Sequence, residues 1–350
     1  MDMFALRPDS NERFFITEEV YFEKTQRQPP WVTETKSTPK QPMYLATCPE
    51  CKNAIEIREL DRVRGENDRA PMEPFGKHYM YSVPALGIEY NQVAYDGCSL
   101  RGKVNLGSSE HRSNAAFNEV VLQMLVEHAS VIRRVISRIT GIKVGPKLFD
   151  SMMKKFIAES RYKCKGVIPS SLPYAMVYWM ESQSIVGQYV FDEGLTDAIN
   201  RSEYFRVADG QILPRAWVEA RAAAKDEGKS PPEKMPWGRH KLAFFLGSRV
   251  HKGSESRGEP NRMTLKVTEH ENDAPRGSEI FIKEISYKNT DFPRAISDVA
   301  KVAPGNDKKA QEDKVKYGEL AFAHISPLLP GWQPSWRCVP TISSRGTESR

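Results

Sequence analysis

The sequence predicts an α+β protein with three successive textures: a β-rich, ribbon-like N-terminal module, long amphipathic helices, and a C-terminal antiparallel sheet. Three observations predict it. Cys48-Pro49-Glu50-Cys51 lies between two short runs of strand character. Apolar residues between positions 114 and 158 recur every three or four places. Beyond position 238, β-branched and aromatic runs alternate with Gly, Ser and Asn loops.

Taken in order, residues 11–25 mix aromatic and β-branched side chains and are expected to form edge strands. The Pro, Thr, Lys and Gln of 26–42 predict an extended loop, because proline removes a backbone donor and biases its predecessor away from helix. Residues 43–47 read as a strand entering the cysteine turn, and 54–58 alternate apolar and polar as they leave it. Strand, knuckle, strand is the zinc-ribbon arrangement. A charged excursion is expected over 60–75, then strands over 77–83 and 88–95, the second running into Cys98.

A single helix is expected from 114 to 139, on a stripe of Phe117, Val121, Met124, His128, Val131, Val135 and Ile139. Ser113 or Asn114 is its candidate N-cap and Gly141 its stop. A second helix is expected over 146–158 and a third over 214–224. The charged, Pro-containing segment that follows reads as a linker. Strands are expected at 242–245, 263–268 and 280–287, and a charged loop at 303–316. The predicted division is a zinc-ribbon-like module over 1–112, a helical basic region over 113–224, a linker over 225–237, a β-rich α+β domain over 238–342 and a flexible tail over 343–350.

Composition narrows the class. The chain has 350 residues, 39% hydrophobic and 27% charged, with no window apolar enough for a membrane helix. Residues 1–3 open a polar segment without a secretion pattern, and five cysteines are an odd number for a disulfide framework. A cytoplasmic location with reduced, partly metal-bound thiols is the expectation.

A Cys-x-x-Cys turn can aim two sulfurs at one tetrahedral ion, and four protein ligands close a structural zinc site. Cys48, Cys51 and Cys98 supply three. His111, just before the long helix, is the expected fourth, with His78 as the alternative. A redox pair would need Cys48 to cap a helix, whereas the residues after Cys51 read as a strand. Cys164 and Cys338 read as ordinary buried side chains, and His128, on the apolar stripe, as a core histidine.

The second signal is charge. Ten basic residues between 131 and 165 face only Asp150 and Glu159, an excess larger than the net +6 of the whole chain. Arg133, Arg134, Arg138, Lys143, Lys147, Lys154 and Lys155 are the candidate phosphate contacts there. Arg249, Lys252, Arg257 and Arg262 form a second set in a Gly/Ser-rich loop. No phosphate-binding glycine loop, His-Glu-x-x-His or Gly-x-Ser-x-Gly occurs. Glu34-Thr35-Lys36 and Glu312-Asp313-Lys314 match a nuclease triplet only in letters and lie in expected loops. The expected function is therefore a non-catalytic, zinc-containing nucleic-acid-binding subunit of a larger nucleoprotein assembly. A protein-interaction scaffold with structural zinc and a metal-dependent nuclease are the alternatives.

Overall fold

The computed structural model describes residues 1–34, 42–61, 73–102, 104–230, 240–248, 262–271, 277–301 and 308–337. Arg249, Lys252, Arg257, Cys338, the proline-rich part of the expected linker and the expected tail lie outside the described residues. The chain mixes helices with antiparallel sheets, as expected of an α+β protein.

An N-terminal sheet runs in the order Val32–Glu34, Pro42–Thr47, Ala54–Arg58, Phe75–His78, with every pairing antiparallel. The central hairpin closes where Thr47 pairs with Ala54, so the six residues 48–53 form its turn. Of the edge strands expected over 11–25, Phe14–Phe15 is found, paired with Met3–Phe4, but the rest of that stretch and the end of the strand expected over 88–95 turn helical. Glu18–Thr25 is helical because Thr17 accepts the Val20 N–H at 3.2 Å and Glu18 and Glu19 complement the positive end of the helix. Gln92–Gly97 is helical because Asn91 accepts the Ala94 N–H at 2.9 Å. In both places a short polar cap outweighed the β propensity of Tyr, Phe and Val.

The helical body follows. The expected long helix is two, Ala115–Glu127 and Ala129–Thr140, broken at His128, whose φ of −116° and ψ of 21° leave the helical region. A periodic stripe constrains which face is apolar and does not detect a one-residue interruption, since the stripe can resume after the break. The expected helix at Pro146–Ala158 is present, and Leu172–Trp179 adds a short one, buried from Leu172 to Val177. The charged segment expected to loop over 303–316 belongs instead, from Lys308, to the 18-residue helix Lys308–Ile325. That helix packs against Ala115–Glu127, Ala129–Thr140 and Pro146–Ala158, burying Tyr317, Ala321, Phe322 and Ile325 beneath a charged outer face.

The C-terminal strands are found as expected but longer. His240–Ser248, Arg262–Glu271 and Ser278–Ser286 form an antiparallel meander, with Gln183–Ser184 added along the first of them. Side chains from all three expected folded segments share one apolar cluster, from Phe4 through Phe149 to Trp336. Polar ties cross the same boundaries, among them Tyr174 Oη to Asp291 at 2.6 Å and Lys283 to Asp192 at 2.7 Å.

Candidate metal centre

Three separate pieces of chain bring four donors together. The hairpin turn contributes Cys48 and Cys51. Its geometry is set by Cys48 N–H donating to the Asn53 carbonyl at 2.8 Å, Lys52 N–H donating to the Cys48 carbonyl at 3.1 Å, and Lys52 itself in the left-handed region at φ +64°. The edge strand Phe75–His78 contributes His78, placed beside the turn by its pairing with Ile55. The third piece is the helix Gln92–Gly97, whose C-terminal boundary residue is Cys98.

The donor atoms of Cys48, Cys51, His78 and Cys98 all lie within 4.8 Å of one another. The Cys51 sulfur is 3.2 Å and the Cys98 sulfur 3.7 Å from His78 Nε2, and the Cys48 and Cys98 sulfurs are 3.7 Å apart. A tetrahedron with metal–sulfur bonds of about 2.3 Å has edges of about 3.8 Å, so these separations are close to those needed to place the donors around one ion. The three cysteines are buried, and the His78 ring stands edge-on to Tyr95 at 5.1 Å. Among the described residues this is the one group of three or more His, Cys, Asp or Glu side chains that converges in this way.

The fourth donor corrects the sequence expectation. His111 pairs by its backbone with Cys164, between the bonds Lys165 N–H to Glu110 carbonyl and Arg112 N–H to Lys163 carbonyl, both 2.8 Å. Alternation along that short extended segment turns Arg112 inward and leaves His111 exposed. Cys164, buried as expected, takes no part in the cluster.

The electrostatics suit a cation. Hydrogen bonds from the Cys48 and Cys98 thiols, with His78 adding to them, hold the Cys51 thiol far below its ordinary range. Burial pushes Cys48 up, and hydrogen bonding to Cys48 and Cys51 pushes Cys98 up. Without an ion, the three sulfurs share protons rather than ionising independently. A divalent cation would replace those shared protons.

Several residues that shape the site carry no motif signal. Asn53, 1% exposed, exchanges two hydrogen bonds with Asn91: Nδ2 to the Asn91 carbonyl at 2.9 Å, and the Asn91 N–H to Oδ1 at 2.7 Å. This locks the start of the Cys98-bearing helix onto the hairpin turn. Glu50, 3% exposed, accepts from the Ser99 N–H at 2.9 Å and its hydroxyl at 2.6 Å, fixing the other end. The cap preference of Asn91 was the readable clue. The Asn53 and Glu50 bonds depend on residues about 40 to 50 positions away.

Among the described residues, the expected phosphate contacts are not all at the surface. Arg133 is buried, with Nη2 3.3 Å from Asp313 and its guanidinium 4.6 Å from the Tyr317 ring centre. Arg138 faces Asp291 at 3.6 Å, and Lys155 is paired with both Glu159, at 3.1 Å, and Glu181. Arg262 pairs with Glu284 at 2.8 Å. Arg134, Lys143, Lys147 and Lys154 are exposed. The Glu312-Asp313-Lys314 triplet is helical, and its Asp313 is the partner of Arg133. No helix among the described residues is long and apolar enough to cross a membrane.

Compared with protein families, curated proteins and solved structures, the chain gives no match.

Proposed function

We propose that the protein binds one zinc ion through Cys48, Cys51, His78 and Cys98, and that the ion is structural. The observation that carries this is the convergence of three sulfurs and one imidazole nitrogen, drawn from three pieces of chain, within 4.8 Å. Soft thiolates with imidazole in tetrahedral disposition select zinc over the oxygen-preferring cations. Four protein ligands leave no position for a substrate or a reactive water, so the reading is non-catalytic. Elemental analysis of protein purified without chelator tests it: one zinc per chain is expected. Metal-free, fully folded protein would refute it.

A second reading, binding of single-stranded nucleic acid, is favoured by one juxtaposition. Lys143 pairs across the strands with Tyr189, its Nζ 5.3 Å from the ring centre, and Tyr189 and Phe191 are 48% and 57% exposed. Cations beside exposed aromatic faces suit phosphates and stacked bases. Exposed Lys147 and Lys154 lie seven positions apart on the helix Pro146–Ala158, about two turns, and extend the basic character. Anisotropy titrations with labelled single- and double-stranded oligonucleotides over a salt series test this reading. Binding that prefers single strands and weakens with salt and in Tyr189→Ala/Phe191→Ala supports it. No binding at low salt leaves zinc in a protein whose partners are other chains.

A further inference from the structure

The metal-binding turn is bonded to the helical body through a residue that lies between two of the ligands. Asn114 caps the helix Ala115–Glu127, its Oδ1 accepting the Phe117 N–H at 3.0 Å. With the other end of the same amide it donates from Nδ2 to the Glu50 carbonyl at 2.9 Å. The Glu50 carboxylate meanwhile holds Ser99, the residue after Cys98. Two residues before Asn114, Arg112 is 3% exposed, with Nε and Nη1 lacking hydrogen-bond partners and Nη2 donating to the Cys164 carbonyl at 2.7 Å. Burial lowers the Arg112 pKa to about 10, and the nearby Glu50 carboxylate is the largest charge opposing that shift. Glu50 therefore holds the helix N-terminus by its backbone and the third sulfur's segment by its side chain, while a buried cation stands near both.

We infer that Asn114 is a positioning residue that couples occupancy of the metal centre to the first turn of the helix Ala115–Glu127. The inference rests on the metal reading above. An amide has one donating and one accepting end, and here each has a fixed task. With the metal in place, Cys48 and Cys51 hold the Glu50 carbonyl still, and that carbonyl orients the Asn114 amide so that Oδ1 faces the Phe117 N–H. Metal loss frees the turn, the amide loses its anchor, and the helix N-terminus loosens. The coupling is reciprocal, so disturbing the amide weakens metal binding. Groups that hold metal ligands in place change affinity by about 10- to 100-fold when removed.

The test uses the full chain. Asn114→Asp keeps a good N-cap acceptor but replaces the donor facing the Glu50 carbonyl with an acceptor. Asn114→Ser, which caps but is too short to span both partners, carries the same expectation should the Asp variant fail to fold. Zinc affinity is measured by competition with a chelating dye, and coordination by the absorption of the cobalt(II) form. Amide exchange at Phe117 is followed with and without chelator. In the parent, chelation should accelerate exchange at Phe117. In the Asp variant, zinc should bind about 10-fold more weakly with unchanged cobalt bands, and chelation should move Phe117 exchange far less. Parental affinity in both variants, or Phe117 exchange indifferent to chelation in the parent, overturns the inference while leaving the metal reading standing. A parent that binds no zinc and gives no cobalt spectrum overturns the metal reading and this inference with it.

Discussion

Between Cys48 and Cys98, donors up to 50 positions apart in the chain meet within 4.8 Å. Between 131 and 165, ten cations that are neighbours in the chain do not share one environment. Arg133 goes inward to Asp313 and Tyr317, Arg138 to Asp291 and Lys155 to Glu159 and Glu181, while Lys143, Lys147 and Lys154 face solvent. The helix rotates successive side chains by about 100°, so clustering in sequence disperses in space. The hairpin, edge strand and capped helix do the reverse, because each delivers a donor at its end. A run of like residues is thus a poor guide to a site, and a spaced set of ligands becomes one only when the fold closes it.

The largest effect expected from breaking this comparison is at the convergent site. His78→Ala or Cys48→Ser should abolish zinc binding, and His111→Ala should leave it intact. Because the energy of binding a structural ion is also folding energy, on the order of 10 kcal/mol in small modules, loss of the ion should unfold or strongly loosen the N-terminal sheet. Metal content and thermal melting with and without chelator would show it. A zinc-free His111→Ala protein alongside zinc-loaded His78→Ala would reverse the assignment.

Arg133→Met sharpens the other side. It removes a buried cation that Asp313 and Tyr317 flank, leaving the part-exposed Asp313 without that partner, and should cost about 1–2 kcal/mol in urea denaturation. A surface phosphate contact would cost almost nothing. A Met variant as stable as the parent would place Arg133 outside the core.

His128, at the break between the two helices, gives a pH-dependent case. Burial, aided by nearby Lys314, lowers its pKa from 6.5 to about 4. The folded state thus takes up this proton less readily than the unfolded state. The contribution is constant above about pH 6.5 and is lost progressively as pH falls toward 4. By pH 5 the stability lost should be on the order of 1 kcal/mol, allowing for the ring's partial exposure. His128→Gln should flatten the difference in stability between pH 7 and pH 5 relative to the parent. An unchanged slope would show that other groups carry it.

The smallest effect is expected for Arg134→Gln with Arg138→Gln. Both side chains are exposed, and exposed ion pairs are worth about 0–1 kcal/mol. Denaturation midpoints should hardly move, so a change in oligonucleotide affinity in this double variant could be read as a contact rather than as a folding defect. A loss of stability comparable to Arg133→Met would contradict the assigned exposure.

Short-range features were legible in the sequence where propensity and pattern agreed, but the capped helices Glu18–Thr25 and Gln92–Gly97 were not. The flanking strands of the cysteine turn, the helix Pro146–Ala158 with Leu148, Met152 and Phe156 on its buried face, and the three C-terminal strands follow from the period of apolar residues. The Cys-x-x-Cys spacing marked two candidate ligands, and Cys98 a candidate third. Tertiary structure decided the rest. His78 rather than His111 completes the set because strand register with Ile55 fixes the first beside the turn, while pairing with Cys164 turns the second outward. Arg133 rather than Arg134 is buried because its place on the helix meets Tyr317 and Asp313 of Lys308–Ile325, a helix whose charged sequence resembled a loop. Periodicity and propensity act over a turn or two of chain. Register, burial and the company of distant side chains are settled only when the segments pack, and there the choice between two histidines or two neighbouring arginines is made.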